Sequence, residues 1–499
     1  MQAPDPMPRP LDHLALRGAP DAPALLTREG LLDYAGLEAA VGSLAGALAT
    51  SFNPGERVAS WLPKNRLTSL LPLACARARL VHVPINPLLK RAQVSHILSD
   101  CEAATLISNK ARLATLEPGD VGRLACDEAE IGGYLTCSER LAASDADPDE
   151  LAALLYTSGS TGRPKGVMLS HANMWLGAVS VAHYLRLAPE DRVLGVLPLS
   201  FDYGQNQLLS TWAAGACAVP LDYLVARDVI RAVEAHAITT LAGVPPLWVQ
   251  LVEAPWPAKA ALSLRRLTNS GGRLPVSIVR RLRELFPAAE LYLMYGLTEA
   301  FRSTYLEPAL LDDHPDSIGS AIPFAEVMTS RPDGSLCAPG EDGELVHAGP
   351  LVAKGYWNDP ERTAQRFRPA PPGSLYGGTA VWSGDRVRQD EDGLLYFVGR
   401  EDAMIKTSGN RVSPTEVEEA AVASGVVAEA VALGVPDDRL GEAIALVVRG
   451  GGPDEALRGH LRRELPNFMQ PAHIIWRDEL PRSPNGKLDR EAIKSELMS

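Results

Sequence analysis

The sequence predicts a multi-domain α/β protein, with a large N-terminal domain of layered α/β sheets that includes a β-rich subdomain, and a small α+β C-terminal domain. Three observations carry this expectation. Helical periodicity over 34–50 and 225–236 alternates with short apolar runs at 81–85, 192–197 and 239–244, each bounded by Pro, Gly or polar residues, as expected of parallel strands layered with helices. Beyond about Asp312, Gly and Pro multiply and strand-like pieces at 334–337, 343–347 and 394–398 stand between turns, which reads as a β-rich section. The last stretch is self-contained: a helix over 413–423, strands over 428–435 and 443–448, and a helix over 454–464. The charged turn Gly399-Arg400-Glu401-Asp402 has no apolar anchor, so the division falls between a domain of 1–400 and one of 401–499.

Composition narrows the function classes. At 499 residues, with 46% hydrophobic and 22% charged residues, the chain can bury a large core and exceeds the size at which one core stops growing. The formal charge of −13 arises from 61 acidic and 48 basic residues mixed along the chain, with no Lys/Arg run able to follow a phosphate backbone, so nucleic acid is not expected as a partner. Six cysteines lie far apart without a CxxC pair, which reads as buried thiols rather than a metal site. The Pro-rich amino terminus lacks the apolar segment of a signal peptide and no apolar run reaches membrane-spanning length, so a cytoplasmic protein with no membrane insertion is expected.

Four segments carry chemistry. In Leu154-Leu155-Tyr156-Thr157-Ser158-Gly159-Ser160-Thr161-Gly162-Arg163-Pro164-Lys165-Gly166 an apolar strand runs into a stretch of small residues, whose backbone N–H groups and hydroxyls can close around phosphate oxygens while Lys165 adds a point charge. A Gly/Ser stretch alone is commonly a linker, but the apolar flanks on both sides favour a phosphate loop; it is not the Walker type, because Pro164 precedes the lysine. Tyr295-Gly296-Leu297-Thr298-Glu299 offers a ring to stack on a purine, a hydroxyl for a phosphate oxygen and a carboxylate for Mg²⁺. Asp385, in Ser383-Gly384-Asp385, can accept from both hydroxyls of a ribose, and Arg400 can reach ribose or phosphate. Finally Pro484-Asn485-Gly486-Lys487 sets a lysine on a tight turn near the carboxyl end.

As an ordered set these motifs resemble the adenylate-forming superfamily of acyl-CoA synthetases, adenylation domains of nonribosomal peptide synthetases and firefly luciferase, and the resemblance covers essentially the whole chain. It implies an ATP- and Mg²⁺-dependent enzyme that converts a carboxylic acid to an acyl-adenylate and transfers the acyl group to a thiol. By the resemblance, Thr157, Ser158, Gly159, Ser160, Thr161, Gly162 and Lys165 hold the ATP phosphates, Gly271, Gly272 and Arg273 line the adenine with backbone, Tyr295 stacks on it, and Gly296 belongs to the same nucleotide site. Thr298 touches the α-phosphate, Glu299 ligates Mg²⁺, Asp385 and Arg400 hold the ribose, and Lys487 bridges acid and ATP. The small domain is then mobile: it turns about Asp402, withdrawing Lys487 and presenting Lys406, Ser408 and Gly409 to the thiol substrate.

The acid pocket implied by the resemblance comprises Phe201, Asp202, Tyr203, Asn206, Ser270, Met294, Arg302 and Ser303. The Ser200-Phe201-Asp202 pattern resembles amino-acid-activating domains, in which the matching aspartate binds the α-ammonium of the substrate, and a carboxylate in an apolar pocket is costly without a cation. Arg302 can itself neutralise Asp202, and 404–416 resembles bacterial acyl-CoA ligases, so two substrates stay open: a small amino acid, or the acid of a medium-chain or exopolysaccharide-associated acyl-CoA ligase. A non-catalytic nucleotide-binding regulator is the reading from another class, and Glu299, Asp385 and Lys487 argue against it. No carrier domain stands in this sequence, so the acceptor is expected separately, as CoA or as carrier-protein phosphopantetheine.

Overall fold

The structure, a computed structural model, describes residues 3–133, 139–157, 164–400, 405–407, 410–437, 440–465, 467–484 and 486–498. A 6-stranded sheet runs in the order Leu124–Asp127, Thr105–Ser108, Arg57–Trp61, Val81–Pro84, Leu151–Thr157, Lys165–Ser170. Its pairings are parallel except for the last, an antiparallel hairpin whose connection is the Gly/Ser loop. A 14-stranded sheet forms the rest of the large domain. Pro23–Thr27, Cys217–Pro220, Arg192–Gly195, Thr240–Gly243, Arg266–Asn269 and Glu290–Tyr295 lie parallel there, and from Thr304–Tyr305 outward the pairing turns antiparallel. The switch from helix-connected to hairpin-connected strands is why the later part of the chain is rich in Gly and Pro.

The sequence-predicted elements sit close to the observed ones: helices Tyr34–Ser51 and Ala226–His236, strands Val81–Pro84, Arg192–Gly195, Thr240–Gly243, Asp342–Ala348 and Leu395–Arg400. Tyr34–Ser51 begins where Asp33 accepts a hydrogen bond from Gly36 N at 2.7 Å, meeting one of the N–H groups that the first turn leaves without a partner. The piece at 334–337 differs. It makes only an isolated bridge between Ser330 and Leu336, because Gly334 at φ +86 and the Asp333 carboxylate accepting from Ser335 N wind it into a turn.

The small domain packs helices Pro414–Ala423, Asp454–Glu464 and Arg490–Met498 on a 5-stranded sheet. Its buried apolar side chains, Val417, Ile444, Leu446, Leu457 and Leu461 among them, cluster with one another rather than with the large domain. Among the described residues no helix is long and apolar enough to cross a membrane. Cys75, Cys101, Cys126 and Cys217 are buried free thiols, and burial pushes Cys101 up to about 12, far from thiolate reactivity; Cys137 lies outside the described residues.

Candidate active site

The cleft faces the carboxyl ends of the parallel strands, and two tight packings aim its side chains. Helix Asp202–Ala213 is buried throughout and begins against the turn at Leu197-Pro198. A Cβ on Gly204 would stand 1.8 Å from the Pro198 carbonyl oxygen, so only glycine lets the helix start there with Asp202 at its first position. The second packing follows strand Glu290–Tyr295. A single 3₁₀ turn, Thr298–Ala300, is ended by Phe301 at φ +59 and ψ −46, a strained backbone for a bulky residue. The Phe301 ring fills a notch over Gly177, where a Cβ would lie 2.1 Å from the ring. This turn sends Glu299 toward Lys165 and Tyr356 and Arg302 into the interior.

Glu299 accepts a hydrogen bond from the Tyr356 hydroxyl at 2.6 Å and pairs with Lys165 at 3.3 Å, while Lys165 also donates to that hydroxyl at 2.6 Å. Burial opposes ionisation of Glu299 most strongly, yet Lys165, Tyr356 and Arg366 together bring its pKa below the usual carboxylate range, so it stays charged. For Lys165 burial dominates and lowers the pKa, with Glu299 opposing. Tyr295 donates to Asp385 at 2.5 Å, and Arg400 lies 3.6 Å from the same carboxylate. Burial, reinforced by Asp385, raises the Tyr295 pKa well above the phenol range, so the hydroxyl keeps its proton and remains a donor.

Asp202 is a second buried carboxylate of the cleft. It accepts from Thr298 Oγ1 at 3.1 Å, and Arg302 Nη2 lies 3.9 Å from its second oxygen, beyond hydrogen-bond length. Arg302 donates instead to Ser270 Oγ at 3.0 Å and stacks 4.6 Å over the Tyr203 ring, whose hydroxyl lies 2.7 Å from Thr268 Oγ1.

Lys487 reaches this centre from the small domain. Gly271, at φ +78, has no Cβ to obstruct it; one there would lie 3.1 Å from Lys487 Cε. Lys487 keeps solvent contact because it spans an open cleft, but the walls around it desolvate the ammonium and lower its pKa, with Asp202 and Asp385 opposing and Arg400 and Arg302 reinforcing. The loop is held across the domain boundary by Asn86 Nδ2, which donates to Pro484 O at 3.0 Å.

Among the sequence-predicted site residues, the structure thus gathers Lys165, Glu299, Thr298, Asp202, Tyr203, Ser270, Arg302, Tyr295, Asp385, Arg400, Gly271 and Lys487 around one cleft. Thr157 Oγ1 is buried at the root of the Gly/Ser loop, with no hydrogen-bond partner among the described residues. Gly296 backs onto Arg302, Met294 accepts from Tyr184, Phe201 precedes the buried helix, Gly272 O accepts from Asn269, and Ser303 bonds His347 at 2.9 Å. The Arg273 side chain turns away to Asp316 at 3.4 Å and to Glu419 of the small domain. Ser158, Gly159, Ser160, Thr161, Gly162, Asp402, Ser408 and Gly409 lie outside the described residues, and of Lys406 only the backbone, in strand Ile405–Thr407, is described. Sequence reasoning missed Tyr356, Phe301 and Gly177; none stands in a stretch with a compositional signal, since each acts through a contact distant in the chain.

Among the described residues no group of three or more His, Cys, Asp or Glu could hold a metal. A single buried, ionised carboxylate, Glu299, fits a Mg²⁺ ion that takes most of its ligands from phosphate and water.

Residues 13–357 match the family model described as AMP-binding enzyme, and 416–487 match that of the AMP-binding enzyme C-terminal domain. The chain is 32% identical over 494 residues to feruloyl-CoA synthase of Amycolatopsis sp, covering 96% of each protein. It is 31% identical over 496 residues to L-proline--[L-prolyl-carrier protein] ligase of Pseudomonas fluorescens, covering 96% of this chain and 97% of that one. It also matches larger proteins in part, spanning 13% of tyrocidine synthase 2 of Brevibacillus parabrevis at 30% identity. Among solved structures, o-succinylbenzoate coenzyme A synthetase of Bacillus subtilis in complex with ATP and magnesium ion superposes with a TM-score of 0.83 at 25% identity, over 99% of this chain and 100% of that one.

Proposed function

Because the chain belongs to the AMP-binding enzyme family, whose members here are acid-activating, AMP-forming ligases, we propose that it adenylates a small amine-bearing acid and passes the acyl group to the thiol of CoA or of carrier-protein phosphopantetheine. The observation that carries the amine is Asp202: a buried carboxylate that accepts from one hydroxyl among the described residues, with Arg302 at 3.9 Å, beyond hydrogen-bond length, and the Lys487 ammonium acting on it through space. An incoming ammonium completes its shell with a charge-assisted hydrogen bond.

In the first half-reaction a carboxylate oxygen of the acid attacks the α-phosphorus of ATP, the bond to the bridging oxygen breaks, and pyrophosphate leaves. Two anions must meet, so cations govern the barrier. Lys487, on which Asp202 and Asp385 act, would bridge the acid and the α-phosphate, and Lys165, paired with Glu299, would meet the other phosphates. Glu299 would hold the divalent ion, which when bound neutralises phosphate charge. Tyr295 and Asp385 form a hydrogen-bonded wall for the nucleoside, with the second Asp385 oxygen toward Arg400. In the second half-reaction the thiolate attacks the acyl carbon and AMP leaves; the small domain, turning about Asp402, exchanges the Lys487 loop for 406–409.

A second reading has its own observation. Arg302 balances the charge of Asp202 within the protein, which leaves a neutral pocket suited to an aryl or aliphatic acid, as for an acyl-CoA ligase. ATP–pyrophosphate exchange with amino acids and with matched acids lacking the amine separates the two. We expect the amino acids to exchange faster, and Asp202→Ala to remove that preference while KM for ATP changes little; equal exchange by both kinds of acid defeats the amine reading.

A further inference from the structure

The interior of the pocket has a chemistry that the Asp202 argument does not explain. Next to the Asp202–Arg302 pair, between helices His171–Tyr184 and Asp202–Ala213 and strands Thr240–Gly243 and Arg266–Asn269, lies a cavity of about 20 Å³. That is room for about one water molecule. Asn206, Gln207, Thr240 and Arg302 line it, and their exposures are 2%, 5%, 1% and 2%. Asn206 Oδ1, both amide atoms of Gln207, Thr240 Oγ1 and Arg302 Nε make no hydrogen bond among the described residues. Buried polar atoms are nearly always paired, so this cluster calls for a polar guest.

The kind of guest follows from what is stranded. Turning an amide over exchanges its oxygen and nitrogen, but Gln207 leaves one donor and one acceptor unmet in either orientation. A hydrocarbon group would leave all of these atoms unpaired. A carboxylate would have no proton to give the acceptors, and the charge it would need from Arg302 already faces Asp202. A neutral group of water size that both donates and accepts can meet up to three of these atoms, one acceptor and two donors, which neither a hydrocarbon nor a carboxylate can do. We propose that this floor binds a hydroxyl on the acid, so that the protein activates short hydroxy-bearing acids and rejects the hydrocarbon of the same shape. This rests on the acid-activating function proposed above, and not on the amine.

The test is ATP–pyrophosphate exchange with isosteric pairs: threonine against valine, and 3-hydroxybutyrate against 3-methylbutyrate. Within each pair the amine is constant, so the comparison reads the floor alone. The hydroxy member of at least one pair is expected to have the higher kcat/KM by on the order of 100-fold or more, because a site built to hydrogen-bond penalises the analogue that cannot. Gln207→Leu combined with Thr240→Val should bring that ratio to within about tenfold, with KM for ATP as the check that the nucleotide site is intact; if the double variant does not fold, the wild-type ratios decide. Hydrocarbon members equal to or better than their hydroxy partners would overturn the proposal and assign the cavity to bound water alone, as would exchange confined to aryl or fatty acids. Absence of exchange with every acid would instead defeat the acid-activating function itself.

Discussion

The acid pocket and the seam between the two domains are both lined with charge, yet they are built in opposite ways. In the pocket, Asp202, Arg302 and the polar floor are at least nine-tenths buried and fixed by backbone packing, with Gly204 under Pro198 and Phe301 over Gly177. At the seam the contacts among the described residues include partly exposed ion pairs, Arg273 with Glu419 and Arg449 with Glu253 at 3.6 Å, and isolated hydrogen bonds such as Asn86 to Pro484 O and Ser413 to Val398 O. Each stranded buried polar atom costs about 1–3 kcal/mol, whereas an exposed ion pair contributes about 0–1 kcal/mol. A pocket built the first way discriminates between substrates, and a seam built the second way can open without unfolding either side. Lys487 connects the two: it is carried on the small domain, and its side chain lies beside Gly271 in the cleft.

Three changes break or sharpen this contrast. The largest effect is expected for Lys487→Ala, which removes the cation that the small domain carries into the cleft beside Gly271. Adenylate formation, read by pyrophosphate exchange, should fall by on the order of 10²–10³-fold, while thioester formation from supplied acyl-adenylate should be largely spared. Loss of both half-reactions would mean that Lys487 does not belong to a part that moves away.

Gly177→Ala should act on the rigid side. A methyl group 2.1 Å from the Phe301 ring forces that ring and its strained backbone to shift. Overpacking of this kind costs about 1–3 kcal/mol in urea unfolding, and exchange activity should fall with it because Glu299 and Arg302 flank Phe301. An unchanged midpoint would show that the notch is loose.

The smallest effect belongs to the seam. Burial raises the Glu419 carboxyl to about 7, with Arg273 opposing. If the seam opens, that carboxyl returns toward the ordinary range of about 4. The closed form therefore holds the proton more tightly, and closure is favoured most at low pH and weakens as pH rises through about 7. Fluorescence energy transfer between labels on the two domains should report this drift toward the open form, and Glu419→Gln should flatten it. A pH profile identical in the variant would place the linkage elsewhere.

Much of the fold was legible before the structure, because strand and helix signals are local. The apolar runs at 81–85, 192–197 and 239–244 need no partner to be recognised, and the small domain shows its own helices and strands in sequence. The piece at 334–337 was not legible, since a glycine with positive φ and an aspartate turn outweighed its strand-like texture. The motifs named residues that the structure gathers around the cleft for a similar reason: chemistry that holds phosphate and ribose concentrates Gly, Ser, Thr, Asp and Lys in short runs.

By itself, then, the sequence determined an α/β layering, a small second domain and a set of ATP-directed motifs. Only the tertiary structure decided that Arg273 serves the seam, that Tyr356 completes the Glu299–Lys165 cluster, that Phe301 rests on Gly177, and that Gln207 and Thr240 share a cavity with Arg302. The reason is separation along the chain. Tyr356 and Glu299 are 57 residues apart, Lys165 and Tyr356 191, and such pairs meet only when sheets and helices have stacked. Periodicity reports which face of an element is buried, but not what that face will touch.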